Sequence, residues 1–272
     1  MRNRYAVILV LVLSSAFVSD RTQTDGCKTA EEIWQFGEDH LEQGSPKWLS
    51  NLDSATNLCP GFAKAWSEKG SPYVKRGDFA TWATYINKAV ELDPTGFLPI
   101  RGWCRFSFLR DYEGAIADLT RLDTLVGFHT IYASDFNIYL IIGEANAALG
   151  KYDEALIYYD KDINNTMRDS GENWVGLYDY LYRGIAKYST GNYSGALEDF
   201  NKEIKQYESL ADAYYYKGLV YIQLGMKKEA KEQLEKALEL INEKGFKHKD
   251  PYCEVQNEIY VSDIEAALSK LV

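Results

Sequence analysis

The side chains able to do chemistry are few, once the carboxylates are set aside. Three histidines, His40, His129 and His248, are scattered along the chain with no metal-ligand spacing. No HExxH, phosphate-binding glycine loop or GxSxG elbow occurs. The 40 acidic residues fall mostly where a solvated helix face places them, and nothing singles out one pair as an acid–base couple. The sequence thus predicts no catalytic residue, no metal and no cofactor. The net charge of −10 argues against nucleic acid, whose phosphates need a basic face. Arg101 and Arg105 share a helix face, with Arg110 beyond. They suit an acidic partner or internal ion pairs, and the excess of acids favours the latter. The basic turn "FKHKD", 246–250, reads as solvated.

Four cysteines remain, and the start of the chain sets their compartment. "MRNRYAVILVLVLSSAFVSD" has Arg2 and Arg4, an apolar run from Ala6 to Leu13, and small residues at Ser14-Ser15-Ala16. This is the pattern of a signal peptide over 1–16, cleaved after Ala16; the alternative is an uncleaved N-terminal anchor. Residues 17–28 follow as an extension. No other stretch is long and apolar enough to span a bilayer, so the sequence predicts an exported chain, periplasmic or at the cell surface. Cys27 and Cys59 flank a segment of two predicted helices. The start of the first helix and the end of the second meet at one end of an antiparallel hairpin, so the two should form a disulfide. Cys104 sits among Trp103, Phe106 and Phe108 and reads as a small buried apolar residue. Cys253 has no assigned role. Asn164 and Asn192 fit glycosylation sequons, which matter only in a eukaryotic secretory host.

The elements that position these residues are written as a repeat. Glycines recur seven apart at Gly70/Gly77, Gly143/Gly150, Gly184/Gly191 and Gly218/Gly225. Twelve residues after the first of each pair stand Trp82, Ala155, Ala196 and Ala230; sixteen after it stand Ile86, Tyr159, Phe200 and Leu234. Nineteen after it come Ala89 and Ala237, with Asp162 and Glu203 as departures. Gly225 follows Gly191 by 34 residues, a solenoid period. The first glycine should lie where a second helix crosses too closely for a Cβ, and the second should end its helix in a left-handed conformation. Two copies are irregular. Ala30–Pro60 has a second helix one residue short, and Gly96–Leu125 carries one extra residue between Gly102 and Ala115, with no glycine before "DYEGA". Pro72 should bend or disturb its helix. Extra residues at 123–135 and 164–174 should be loops. After Leu240 the repeat stops, and Val261, Ile264, Leu268 and Leu271 mark a terminal helix.

The pattern resembles the tetratricopeptide repeat family. The clearest copies are "AKAWSEKGSPYVKRGDFATWATYINKAVELDP" (63–94) and "ADAYYYKGLVYIQLGMKKEAKEQLEKALEL" (211–240), and 136–164 and 177–207 also match. "YVKRGDF", "RGWCRFSFLRDYEGAI" and "GFKHKDPY" more particularly resemble secreted repeat proteins of Bacteroidetes-like bacteria. The resemblance implies an all-α fold: a right-handed superhelix (α-solenoid) of about six helix-turn-helix repeats over 29–242, with a capping helix within 243–272. It further implies that the first helices line a concave groove. Projected on the helical period, that groove presents Lys64, Ser67, Ser71 and Lys75, then Asn137, Leu140 and Glu144, then Tyr178, Leu181, Ile185 and Tyr188, then Asp212, Tyr215, Leu219 and Ile222. It turns from polar and basic to apolar and aromatic. Ser67 and Ser71 stand where relatives that hold chaperone carboxylates begin their clamp, so that activity is not expected. The expected role is a non-enzymatic scaffold for a protein or peptide, as a monomer or weak homodimer. The alternative is a small-ligand or glycan-binding accessory protein using the tyrosine-rich half.

Overall fold

A computed structural model describes residues 25–127, 132–133 and 136–271. The leader reading and His129 lie outside them. Six helical hairpins and a final helix make up the described chain: α1 (25–40) with α2 (Pro46–Leu58), α3 (Ala63–Lys75) with α4 (Phe79–Leu92), α5 (Pro94–Cys104) with α6 (Tyr112–Val126), α7 (Ile138–Ala148) with α8 (Tyr152–Asp169), α9 (Asp179–Ser189) with α10 (Tyr193–Gln206), α11 (Ala211–Gln223) with α12 (Lys227–Glu239), then α13 (Val261–Ser269). The all-helical repeat expected from the glycine spacing is the architecture found. Two compact units divide it, residues 1–101 and 102–272.

The glycine arithmetic is explained by contact. A Cβ on Gly184 would lie 2.6 Å from the Phe200 ring, and one on Gly143 would lie 2.4 Å from that of Tyr159. In each case the bulky residue sixteen positions on fills the space the glycine leaves. Ala155, Ala196 and Ala230 are fully buried at the same crossings. The second glycines, Gly77, Gly150, Gly191 and Gly225, all have φ between 72° and 78° or at 81°. They end the first helices as left-handed residues.

The irregular copies resolve as local insertions. After α5 the chain forms one π-helical segment, Arg105–Leu109, which absorbs the extra residue. A Cβ on Gly102 accordingly meets Leu119, seventeen residues on rather than sixteen. Arg110 takes the left-handed conformation (φ 54°) that glycine supplies elsewhere. In the first hairpin Trp48, Leu52 and Ala55 are buried one position early relative to the other copies.

Pro72 lies inside helix α3, which continues to Lys75. Two expectations are corrected. The excess at 164–174 is not simply loop: α8 extends to Asp169, and Glu172–Trp174 form a 3₁₀ turn. The connection 123–135 starts inside α6, and Tyr132–Ala133 pair antiparallel with Phe136–Asn137. Cys27 and Cys59 are disulfide-bonded, closing the first hairpin. Cys104 is buried, and burial pushes its thiol up to about 12. In the second unit one core runs from α7 through α13, with Ile259, Ile264 and Ala267 burying the last helix against it.

Candidate functional site

The first helices of the second unit carry the site, but its face is already in use. Beyond α12 and a second π-helical segment, Leu240–Lys244, the chain loses regular structure until α13. Residues 245–259 form a strap laid across α9 and α11. It begins as a short parallel bridge: Phe246 N–H donates to the Ser209 carbonyl (3.0 Å), and Ala211 N–H to the Phe246 carbonyl (2.9 Å). The Asp212 carboxylate then accepts from the His248 backbone N–H at 2.9 Å. The Tyr182 hydroxyl lies 2.7 Å from His248 Nδ1 and donates to the Gln256 carbonyl at 3.0 Å. Tyr216 donates to the Asn257 carbonyl at 3.1 Å. The Tyr178 and His248 rings stack at 3.7 Å, and Arg110 donates to the Glu254 carbonyl. Asp212 and Tyr216 are spaced four apart on α11 and so point the same way, while Tyr178, the residue before α9, and Tyr182 on α9 both reach His248. Most of these bonds go to main-chain groups, so the helices hold the strap largely without reading its side chains.

The predicted groove residues divide by position. Leu140, Leu181 and Ile185 are buried in the core and present nothing to a partner, a correction to the projected face. Asn137 is also buried; its side chain caps α7 by accepting from the Tyr139 N–H. Tyr178 and Asp212 hold the strap. Tyr188, Tyr215, Leu219 and Ile222 are half-buried against the core. In the first unit Ser67 is buried and Ser71 half-buried. Lys64 is exposed with its ammonium 3.8 Å over the Trp34 ring, and exposed Lys75 donates to Gln43. Tyr182 and Tyr216, the strap's main anchors, were missed. Their signal was the four-residue spacing from Tyr178 and Asp212, one helical step round from the residues chosen.

The two departures nineteen residues after the first glycine are buried carboxyls near the start of α9. Glu203 accepts from Tyr178 N–H (3.3 Å) and Leu181 N–H (3.1 Å), capping a helix whose own N-cap residue offers no side-chain bond. Burial nonetheless pushes it up to about 8. Asp162 is buried without a hydrogen-bond partner, and burial followed by the nearby Asp179 raises it well above the carboxylate range. Burial likewise takes Asp179 to about 6 and Asp212 to about 7, and depresses His248 to about 4. His248 is thus a neutral ring at ordinary pH. On the other side of α9, Arg183 grips Asp199 through two bonds of 2.9 and 2.6 Å, with Lys187 at 2.7 Å. Arg105 pairs with Asp118 at 3.0 Å, the internal use of an arginine that the acid count favoured.

Between the strap, the π-helical segment after α5, α7 and the start of α9 lies a cavity of about 200 Å³. Trp103, Phe106, Tyr178 and His248 give it aromatic walls, and Glu144 lines it from α7. Among the described residues no group of three or more His, Cys, Asp or Glu is placed to hold a metal, and no helix is long and apolar enough to cross a membrane.

Against known proteins, family models described as tetratricopeptide repeat match residues 63–95, 136–161 and 211–243. A TPR repeat-containing protein of Methanocaldococcus jannaschii is 25% identical over 210 residues, 75% of this chain. The chain spans only 36% of that protein's length. Among solved structures, MamA is 24% identical with a TM-score of 0.53, over 63% of this chain and 94% of that one. YrrB, described as a TPR protein with an unusual peptide-binding site, is 18% identical with a TM-score of 0.54, over 70% and 91%. PilW, a type IV pilus biogenesis factor, is 17% identical with a TM-score of 0.55, over 81% and 93%. The tetratricopeptide repeat models thus fall on the hairpins α3–α4 and α11–α12 and on most of α7–α8, and the solved structures share the fold.

Proposed function

We propose that the chain is an exported, non-enzymatic scaffold that holds a protein or peptide along the first helices of its hairpins. One observation carries this reading: α9 and α11 already hold an extended stretch of polypeptide by its main chain, through Tyr182, Asp212 and Tyr216. A face built this way suits extended peptide of varied sequence. The fold it shares with a peptide-binding repeat protein supports the same class of role. The Cys27–Cys59 disulfide supports an oxidising compartment, as does the leader pattern. The source we favour is a Bacteroidetes-like bacterium, on the three motifs named above.

The test is affinity capture from the native envelope with the full chain as bait. One partner should be retained at near-equal stoichiometry, and Tyr215→Ala or Leu219→Ala should release it while circular dichroism stays unchanged. No stoichiometric partner, or capture indifferent to both changes, rejects the reading. The second reading, a small-ligand or glycan accessory protein, draws on the aromatic-walled cavity and predicts a thermal shift with a sugar or other small molecule.

A further inference from the structure

We propose that the cavity beneath the strap is a binding site for a small organic ammonium ion, with Glu144 as counter-ion and Trp103, Phe106 and Tyr178 as the walls. The inference takes up the small-ligand reading and is independent of partner capture.

Three features converge on this cavity. First, its backbone is strained. Arg110 (φ 54°) and Tyr178 (φ 83°) both line it, and they are two of the three non-glycine residues with positive φ among those described. For a bulky side chain such as tyrosine that conformation is an outlier, and such strain concentrates at ligand sites. Second, the π-helical segment Arg105–Leu109 turns Phe106 and Ser107 into the wall. Single π turns of this kind are frequent at functional positions. Third, the polar equipment points one way. Glu144 is only 6% exposed, and its carboxyl is hydrogen-bonded to the Tyr182 hydroxyl. The other charged groups at the rim are engaged or outside. Arg110 bonds the Glu254 carbonyl, Asp250 accepts from the Tyr252 and Cys253 amides, and Lys249 is exposed.

A carboxyl set in an aromatic box is the complement of an ammonium group. Aromatic rings attract a cation to their faces, and the carboxylate supplies the full charge. Without a cation the carboxyl is costly to ionise there, and burial pushes it up to about 8. An ammonium entering at neutral pH should therefore expel the Glu144 proton to solvent as the ion pair forms.

Isothermal titration calorimetry on the full chain tests this with phenethylammonium chloride against 2-phenylethanol, its uncharged counterpart. The amine should bind about tenfold tighter or more. Its apparent heat at pH 7 should differ between HEPES and phosphate buffers, reporting proton release. Glu144→Gln should erase both the preference and the proton release. Trp103→Leu, at the half-buried wall, should weaken the amine several-fold and serves as the second variant if Glu144→Gln does not fold. The proposal is overturned if the wild type binds neither compound, binds both equally or prefers phenylacetate, if Glu144→Gln keeps the amine preference, or if Trp103→Leu binds the amine as tightly as the wild type.

Discussion

At the scale of single residues, the two glycines of a repeat should fail for different reasons. Gly184 has ordinary helical φ, so alanine costs nothing in the backbone there; its Cβ instead meets the Phe200 ring at 2.6 Å. Overpacking of this kind costs about 1–3 kcal/mol. Gly191 has open space for a Cβ but φ of 81°, so alanine there costs about 1–2 kcal/mol of backbone strain. Urea denaturation should find both losses. Only the first should couple to the ring: Phe200→Leu should be less harmful in the Gly184→Ala background than alone, whereas with Gly191→Ala the effects should add. Additivity in both pairs would remove the packing explanation. Asp199 presents a third case. It is 1% exposed and accepts from Arg183 and Lys187. Asp199→Ala leaves a buried guanidinium without its main partner and should cost about 3–5 kcal/mol. The double change Asp199→Leu with Arg183→Met should recover much of that. If it does not, the network contributes more than desolvation balanced by pairing.

At the scale of elements, the first hairpin is the one closed covalently. Its core is small, drawn from Ala30, Trp34, Trp48, Leu52, Ala55 and Ala65 beside the disulfide. Cys27 and Cys59 are 32 residues apart, a loop whose closure is worth about 3–4 kcal/mol in the chain-entropy account. Cys27→Ser with Cys59→Ser should therefore raise amide exchange across α1 and α2 while leaving α9–α12 protected. Equal loss across both units would show that the hairpin does not open by itself. The regular hairpins were legible because glycine spacing reports close approach directly: Gly143, Gly184 and Gly218 each face the side chain sixteen positions on. The π-helical insertion was half legible. One surplus residue between Gly102 and Ala115 is countable, but which conformation absorbs it depends on packing against α6. The strap was not legible as such. "GFKHKDPYCEVQNEI" has no period, and its place is fixed by hydroxyls and carboxyls on helices far away in sequence, which no local pattern encodes. The cavity was missed for the same reason, although Trp103, Arg110 and Glu144 had each drawn notice separately.

At the scale of the molecule, these buried acids make stability a function of pH, and the sign can be worked out. Burial raises Glu144 and Glu203 to about 8, Asp212 to about 7 and Asp179 to about 6. In the unfolded chain all four titrate near 4. Between those values the folded state holds more protons than the unfolded one, so stability falls as pH rises. His248 acts oppositely. Its folded value of about 4 lies below the usual 6.5, so it adds stability as pH climbs between the two and nothing beyond. The opposing slopes overlap in acid. Above pH 6.5 His248 contributes nothing further, while Glu144, Glu203 and Asp212, with Asp162 raised in the same sense, still lower stability as pH rises. Thermal unfolding followed by circular dichroism should therefore give a lower Tm at pH 8 than at pH 6.5. Glu144→Gln should flatten that decline, because an amide keeps the site neutral at every pH. Asp78→Asn should leave the slope alone, since that exposed N-cap carboxyl is held below the usual range by its Thr81 bonds and is fully ionised throughout the window. A Tm that is level or rising from pH 6.5 to 8 would mean that these acids are ionised in the folded chain, with the helix N-terminus above Glu203 and the donors around Asp212 outweighing the loss of water.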